Sequence, residues 1–394
     1  MTMATKKEYI NTVRFRYKKC RTRHDKSSII SELQANLRKC RKHIIKILNL
    51  KFYKPKRKLP TRRPEVYTFD LRVPLETIWE VAGKPCSKNL RPQIPELLKK
   101  LIQFNEISVD VTQGKLLCKM STGIIDKLLR TRRQKEKGRG ISGTKRSPLL
   151  KTLIPIRTNF DDVNEPGHLE EDCVLHCGTS NTGEFGETLN SLDIDTYWSE
   201  QTAFLHKTNV KVIGAFHTQR KRFPFQIKSA DFDNGYEFIN WNFHKYCKKE
   251  GIAFTRSRPY RKNDQAHIEG KNYDTIRKVI GYDRIDKQEA IDLLNDIYAN
   301  EFRLLNNFFY TNRKLMSKER VKGKVIKKYG KAMTPYARVL KSKNVDLQTK
   351  MKLIRQYNQL NPAELQRNLV IKLKALHEIN SVSNLNWATT PTKS

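Results

Sequence analysis

The chain has 394 residues and a formal net charge of +38, from 78 Lys and Arg against 40 Asp and Glu. This length accommodates about two to four domains. So large a positive excess indicates a polyanionic partner, which is either nucleic acid or an anionic membrane surface. No apolar run approaches the roughly 20 residues of a membrane-spanning helix, and the first residues lack the apolar stretch of a secretory signal. Nucleic acid is therefore the favoured partner, and no membrane association is expected.

The seven cysteines are scattered along the chain. Because their number is odd and they show no framework spacing, they indicate a reducing compartment, which means a cytoplasmic location. One cluster, CVLHC, places Cys173 and Cys177 on one side of a strand and His176 on the other. That alternation disfavours a structural zinc site. Most cysteines are therefore expected in the core.

Residues 1–53 are predicted to form an N-terminal helix-turn-helix. Apolar residues between Ile29 and Leu48 recur at helical spacing, which indicates two short helices that meet near Asn36. A solvated basic helix pair without a DNA groove to enter is the alternative. Residues 54–64, KPKRKLPTRRP, indicate an extended basic linker. The second helix would direct five basic residues toward DNA: Arg38, Lys39, Arg41, Lys42 and Lys46.

Residues 65–134 are predicted to form a second helical DNA-binding domain. VPLETIWEVAG is expected to end its helix at Gly83, and RPQIPELLKKLIQF is an amphipathic helix opened by proline. MSTGIIDKLLRTRRQK, with Ser121 as N-cap, is the candidate recognition helix. Residues 135–165 are predicted to be a basic linker, rich in Gly, Ser and Lys at its start. The exposed side of the candidate recognition helix carries Lys127, Arg130, Arg132 and Arg133.

In residues 166–283 the hydrophobic pattern changes from helical periodicity to a mixture of strand and helix patterns. It predicts the order βββαβαβα. That order implies a mixed sheet with flanking helices, an α/β architecture. The predicted strands include HLEEDCVLHCG, FQIKSADFDNG and AFTRSR, and one helix is expected to end at Gly251. The last helix, NDQAHIEGKNYDTIRKVIGY, would be capped by Asn263 or Asp264. Residues 284–394 are predicted to be a mostly helical C-terminal region with basic loops.

Three acids lie where such a sheet places functional groups: Asp172 on the first strand, Asp233 in the turn after FQIKSA, and Glu269 in the last helix. Mg²⁺ takes oxygen ligands, and a pair of ions needs several convergent carboxylates. On residue chemistry alone, a chance triplet among the 40 acidic residues stays equally open. Asn272 follows Glu269 by three residues and shares its helix face.

Other acids compete with this triplet. Glu170 has the same strand facing as Asp172 and is the strongest substitute for it. Asp195, at the end of the second predicted strand, does not match the position of any acid of the triplet. Asp231 is predicted to face away from Asp233. Basic side chains precede Glu269 and are predicted DNA contacts, namely Arg256, Arg258, Arg261 and Lys262.

The segment from about 166 to 285 resembles the catalytic core of the DDE transposases and retroviral integrases, a ribonuclease-H-like fold, in particular the bacterial insertion-sequence transposases with an integrase core. The motifs that carry the resemblance are PGHLEEDCVLHCG, DFDNGYEF and FTRSRPYRKNDQAHIEGKN, with 35 residues between Asp233 and Glu269. The resemblance extends to RYKKCRTRHDKSSIISEL, STGIIDKLLR and the stretch from NNFFYTNRKL to TPYARVL, which together cover most of the chain. It implies that Asp172, Asp233 and Glu269 are catalytic and bind Mg²⁺ or Mn²⁺, as two ions.

The resemblance implies a transposase that binds element ends and catalyses cleavage and strand transfer of double-stranded DNA by two-metal in-line chemistry. Because two ends must be joined, it implies a dimer or larger homo-oligomer on DNA, in the bacterial nucleoid. The alternatives are a domesticated, non-catalytic DNA-binding protein or repressor, and a nuclease that only hydrolyses. The predicted nucleic-acid contacts are Arg256, Arg258, Arg261, Lys262, Asn272, Arg277, Lys127, Arg130 and Arg133.

Overall fold

The computed structural model describes residues 3–50, 66–133, 163–206, 208–232, 241–256, 268, 271–321 and 324–388. The chain forms two units, Met1–Val66 and Tyr67–Ser394, and each has a hydrophobic core of its own. Across the described residues, no helix has both the length and the apolar character needed to cross a membrane.

The described residues 3–50 of the first unit form three helices, α1 (Met3–Lys19), α2 (Arg23–Leu37) and α3 (Arg41–Asn49). Their core includes Leu33 and Ile44, both fully buried. Arg38 ends α2 in a left-handed conformation, with φ of 48°. The prediction that Arg38 and Lys39 lie on the second helix is therefore wrong, because both lie in the turn before α3. The predicted basic residues that α3 does carry on its exposed side are Arg41, Lys42 and Lys46.

The second unit begins with a helical segment. Gly83 follows α4 with φ of +75°, and a Cβ there would lie 2.6 Å from the Tyr310 ring, so the turn requires glycine. The Ser121 hydroxyl accepts the Ile124 N–H at 3.3 Å, which confirms the predicted N-cap of α8. α7, which the sequence analysis did not predict, opens with a capping box at Asp110. The helices are α4 (Arg72–Val81), α5 (Ser87–Leu90), α6 (Ile94–Gln103), α7 (Val111–Lys119) and α8 (Thr122–Arg133).

A five-stranded sheet follows, with the order β3-β2-β1-β4-β5. β1 pairs with β2 and β2 with β3 antiparallel, whereas β4 pairs parallel with both β1 and β5. The predicted mixed five-stranded sheet with flanking helices is thereby confirmed. The strands are β1 (His168–His176), β2 (Gly186–Asp193), β3 (Ser199–Leu205), β4 (Ser229–Phe232) and β5 (Ala253–Arg256).

Successive side chains of a strand point to opposite faces of the sheet. One face carries Asp172 and its β2 partner Asn190, and we call it the Asp172 face. It is covered by α11, whose described part runs through a π-helical turn (Tyr273–Arg277) and an α-helical turn (Lys278–Ile280). The opposite face carries Phe232 and is covered by α9 (Asn209–Arg220) and α10 (Trp241–Lys249). Their Phe216 and Phe243 rings lie 6.0 and 4.8 Å from the Phe232 ring.

The outer edge of β3 is covered by helices rather than by another strand. Asn295 in α12 (Gln288–Ala299) bonds both the N–H and the C=O of Ala203, at 2.8 and 2.9 Å. Asn307 bonds both backbone groups of Ser199 in the same way, from the π-helical turn Leu305–Phe309 that continues α13 (Glu301–Leu304). These two side-chain amides satisfy edge groups that would otherwise recruit another strand.

The C-terminal part packs against the first helical segment. Lys100 of α6 donates to the Tyr357 carbonyl at 2.6 Å, and the Tyr357 hydroxyl donates to Glu96 at 2.7 Å. Both parts therefore contribute to one core. A hairpin also stands in this region, which the prediction of helices and basic loops did not include. The elements are β6 (Leu315–Val321), β7 (Lys324–Tyr329), α14 (Pro335–Lys341), α15 (Leu347–Gln359) and α16 (Pro362–Ala388).

Candidate active site

Asp172 lies on the central strand β1, where the sheet opens. The last parallel pair between β1 and β4 joins Glu171 to Phe232, and the next residues along the two segments are Asp172 and Asp233. Asp172 itself is half-buried. The carboxyl ends of parallel strands are where α/β sheets bind ligands, because the chain diverges there and leaves a crevice.

Asn272 of α11 reaches across to this carboxylate. Its Nδ2 donates to Oδ2 of Asp172 at 2.5 Å, while Oδ1 of Asp172 accepts the Cys173 N–H at 2.8 Å. The sequence analysis expected Asn272 on the helix face of Glu269, and the structure brings Asn272 into contact with the first strand. The helix that follows Glu269 is therefore fixed to the strand that carries Asp172.

A row of buried amides lies behind Asn272, and we call Gln201, Asn190 and Asn272 the amide chain. Gln201 Nε2 donates to Asn190 Oδ1 at 2.9 Å, and Asn190 Nδ2 donates to Asn272 Oδ1 at 2.7 Å. Asn190 and Gln201 are fully buried. Because each carbonyl accepts from the amide behind it, each NH₂ group is left to donate forward. The chain thus orients the Asn272 NH₂ group toward Asp172.

The amide chain is anchored at the outer strand of the sheet, β3. Gln201 Nε2 also donates to the Ser199 hydroxyl at 3.1 Å, and Asn306 Nδ2 donates to the same oxygen at 2.8 Å. The network therefore runs from the helical turn that covers β3, through β3 and β2, to β1. Asn190 and Gln201 were not predicted as functional residues. Their amides lie within strands that are almost entirely buried, and a polar side chain in such a strand indicates a hydrogen-bonded partner.

Glu170 contacts the chain at Ile268, the residue before Glu269. Glu170 is fully buried, and its Oε2 accepts the Ile268 N–H at 2.7 Å. Ile268 is itself buried, in a cluster with Leu192 and Tyr197. Glu170 was the strongest competitor of Asp172 in the sequence. In the structure its carboxylate fixes the backbone of the residue that precedes Glu269.

Two acids that the sequence analysis set aside have distinct positions. Asp231 is the parallel partner of Glu170 and so lies on the Asp172 face; its facing relative to Asp233 stays a prediction, because Asp233 lies outside the described residues. Asp231 is fully buried and accepts the Thr255 hydroxyl at 2.7 Å. Asp195 follows β2 and forms an ion pair with Lys314 at 3.1 Å.

Glu171, on the opposite face of β1, is fully buried. Burial raises the pKa of its carboxyl group well above the ordinary value, and the hydrogen bond from Ser191 at 2.5 Å opposes this only in part. Burial therefore disfavours the charged form of Glu171.

Several predicted site residues lie outside the described residues: Asp233, Arg258, Arg261, Lys262 and Glu269. Within the described part of the chain, no group of three or more His, Cys, Asp or Glu side chains is arranged to hold a metal ion. The donor that is described fits a hard divalent cation, since the Asp172 carboxylate is half-exposed at the sheet opening and presents oxygen.

Two of the predicted DNA contacts in the described core, Arg256 and Arg277, are held within the protein. Arg256 is only 6% exposed and pairs in register with Phe232, on the face opposite Asp172; burial lowers the pKa of its guanidinium. Arg256 was predicted to be an exposed DNA contact, and its burial was not anticipated. Arg277 is half-buried and donates to the Leu175 carbonyl at 2.7 Å. It also lies 5.0 Å from the Tyr282 ring.

On α8, Lys127 and Arg130 are exposed, whereas Arg133 is half-buried. Arg133 forms an ion pair with Asp126 and donates to the Pro85 carbonyl at 3.3 Å. The role of all three in DNA binding stays a prediction.

The fold and the site together define a mixed-sheet α/β protein with a carboxylate–amide pair at the opening of its central strands. The chain belongs to the same family as "Uncharacterized protein y4rM" of Sinorhizobium fredii (strain NBRC 101917 / NGR234). The two are 34% identical over 343 residues, which cover 86% of this chain and 96% of the relative. No protein-family model matches the chain.

Three solved structures with some likeness to the chain are viral. A simian T-cell lymphotropic virus intasome in complex with PP2A regulatory subunit B56 gamma gives a TM-score of 0.31 at 15% identity, over 54% of this chain and 69% of that chain. The BIV integrase catalytic core gives 0.28 at 16%, over 36% and 83%. The HTLV-2 integrase catalytic core with magnesium gives 0.27 at 14%, over 37% and 90%.

Proposed function

We propose that the protein is a DDE-type DNA transposase that cleaves phosphodiester bonds at element ends and joins the freed 3′-OH to target DNA. Asp172, Asp233 and Glu269 are the proposed ligands of Mg²⁺ or Mn²⁺. The observation that carries the proposal is the 2.5 Å hydrogen bond from Asn272 to Asp172. It joins the segment just after Glu269 to the strand of Asp172, as a shared site for these acids requires.

A second contact supports the same convergence. Glu170 accepts the N–H of Ile268, the residue before Glu269, at 2.7 Å. The β1–β4 register ends one residue before Asp172 and Asp233. All three proposed ligands thus adjoin described contacts of β1. A chance triplet among 40 acidic residues would not be expected to have such neighbours.

In this account Asp172, Asp233 and Glu269 hold the divalent ions, which when bound supply Lewis-acid stabilisation of charge on phosphate oxygens. Asn272 fixes the rotamer of Asp172 through its NH₂ group. Glu170 fixes the start of the covering helix through Ile268. The amide chain behind Asn272 keeps the NH₂ group, rather than the carbonyl, toward the carboxylate.

The proposed substrate is double-stranded DNA, to which the net charge of +38 is suited. The exposed basic residues of α3 are the proposed helix-turn-helix contacts, and Lys127 and Arg130 of α8 are further proposed contacts. Because two element ends must be brought together, the active form is proposed to be a dimer or larger, acting in the cytoplasm on nucleoid DNA.

The test is Asp233→Asn in an assay that joins duplexes taken from the DNA flanking the coding region to a target plasmid. The variant is expected to bind the duplexes like the wild type and to form no joined product. Undiminished joining would exclude the triad. A wild-type protein that binds but never cleaves or joins would instead favour the non-catalytic DNA-binding protein.

A further inference from the structure

The hairpin β6–β7 is exposed along its second strand. Every residue from Lys324 to Tyr329 is exposed, including Val325 and Ile326. On β6, Met316 is 70% exposed. Residues 315–329 contain five Lys and one Arg against one Glu. The hairpin therefore combines high positive charge with apolar side chains that no described part of the chain buries.

Such a ribbon is poorly stabilised by itself. A two-stranded hairpin is marginal in water, and like charges directly opposite each other destabilise it further. The register sets Lys318 opposite Lys327. A partner that supplies negative charge along the ribbon would relieve this repulsion, and contact with its apolar parts would cover the exposed side chains.

The root of the hairpin is fixed beside the candidate active site. Tyr197, which packs against Ile268, is surrounded by cations. Lys314, the residue before β6, lies 5.8 Å from the Tyr197 ring, and Arg338 lies 5.0 Å from it. At the same end of the ribbon, Arg313 lies over the Tyr329 ring at 5.1 Å. The root of the hairpin is thus connected through Tyr197 to Ile268, the residue before Glu269.

We propose that the β6–β7 hairpin is a DNA-binding arm that contacts the backbone of duplex DNA next to the bond processed at the Asp172 site. The strands are 7 and 6 residues long, which is roughly 20 Å at about 3.3 Å per residue. A two-stranded ribbon of that size fits a major groove about 12 Å wide. The identification of the ligand as DNA rests on the proposed function.

Charge favours DNA over other partners. A duplex presents negative charge along its whole backbone, and each phosphate that a cation neutralises releases counterions. A second copy of this hairpin would bring like charges together and is disfavoured. An anionic membrane surface is the rival polyanion, and it is distinguished by experiment.

The test compares two triple variants of the full chain that change the net charge equally. The arm variant is Lys324→Glu/Lys327→Glu/Lys328→Glu. The control is Lys245→Glu/Lys248→Glu/Lys249→Glu on α10, whose lysines are equally exposed and cover the face opposite Asp172. Affinity for a fluorescent duplex is measured against salt, without divalent metal. Binding is thus separated from cleavage, and a failed nuclease assay has no bearing on this result.

The arm variant is expected to bind about tenfold or more weakly than the control, with the slope of log affinity against log salt reduced by about 3. The milder Lys324→Gln/Lys327→Gln/Lys328→Gln variant should show the same loss of slope. Urea unfolding midpoints that match the wild type verify folding. Equal binding by arm variant and control overturns the proposal. So does a loss confined to vesicles of anionic lipid, which would assign the hairpin to membranes.

Discussion

Asn272 and Asp172, 100 residues apart in the chain, are joined by a hydrogen bond of 2.5 Å from amide to carboxylate. The carboxylate lies on the central strand, and the amide lies on the helix that covers it. Together with the Cys173 N–H, this contact fixes the orientation of the Asp172 carboxylate. The predictions on the site follow from it.

Asn272→Asp places a second carboxylate against Asp172 in nearly the same volume. Repulsion between the two is expected to disturb the Asp172 rotamer and to reduce cleavage about 10- to 100-fold, the range seen when the partner of a metal ligand is lost. Single-turnover cleavage over a range of Mg²⁺ concentrations measures it. Asn272→Ala should have a smaller effect, because it removes the donor without adding charge. Equal rates for wild type and Asn272→Asp would contradict the assigned role.

Gln201→Glu tests the amide chain at a distance from the metal ligands. A carboxylate at this position cannot donate to Asn190, so Asn190 and then Asn272 are expected to reverse their amides. The Mg²⁺ concentration for half-maximal cleavage should rise about tenfold or more. The matched control is Gln219→Glu, an equally buried and isosteric change on the opposite face.

If both variants lose stability equally but leave the Mg²⁺ dependence unchanged, the amide chain is structural only. A double variant of Gln201→Glu with Asn272→Ala gives a further check. Because the two residues act through one path, their effects should not add.

His176 is fully buried, with Nε2 2.7 Å from the Thr188 hydroxyl. Burial, helped by nearby Arg277, lowers the pKa of its imidazole from 6.5 to about 3. The unfolded chain therefore binds a proton that the folded chain does not, between these two values. This contribution to stability is complete above pH 6.5 and is lost as the pH falls toward 3.

Between pH 6.5 and 4.5, the free energy of unfolding should fall by about 2 kcal/mol from this group. The change is measured by urea unfolding of wild type and His176→Gln, in which that part of the slope should vanish. His206→Gln, at an exposed histidine, is the control and should keep it. An unchanged slope in His176→Gln would show that the imidazole does not cause it.

Lys100 connects α6 to the end of α15. Its ammonium donates to the carbonyls of Tyr357 and Asn358 at 2.6 and 3.1 Å and lies 4.4 Å from the Tyr357 ring. Lys100→Met is expected to lower the free energy of unfolding by about 2 kcal/mol, because it leaves buried acceptors unsatisfied. Lys99→Met, at the exposed neighbour, should change it by less than about 0.5 kcal/mol. Similar effects from both would refute the connection.

The sequence predicted the sheet because strand alternation and helix stops are local signals. It also placed Asn272 on the side of Glu269, since residues three apart share a helix face. The partners Asn190 and Gln201 could not be predicted in the same way. Their proximity to Asn272 depends on strand register, which local pattern does not specify. The burial of Arg256 was missed for the same reason.

Two elements were missed for different reasons. The hairpin β6–β7 carries charged residues on both strands, so it lacks the apolar alternation that identifies a half-buried strand. The helix α7 had a readable start, because Asp110 and Gln113 have the spacing of a capping box. Its short length and mixed polarity concealed it.

The central claim is that Asp172 is a metal ligand in a site that cuts DNA. The most direct measurement is Mg²⁺-dependent cleavage of a duplex from the flanking DNA by Asp172→Asn, with Asp195→Asn as the matched control. Asp195 undergoes the same chemical change, but its carboxylate pairs with Lys314 and is not a proposed metal ligand. The account predicts that Asp172→Asn binds the duplex normally and cleaves at background level, whereas Asp195→Asn still cleaves. Cleavage by Asp172→Asn at the wild-type rate would contradict it.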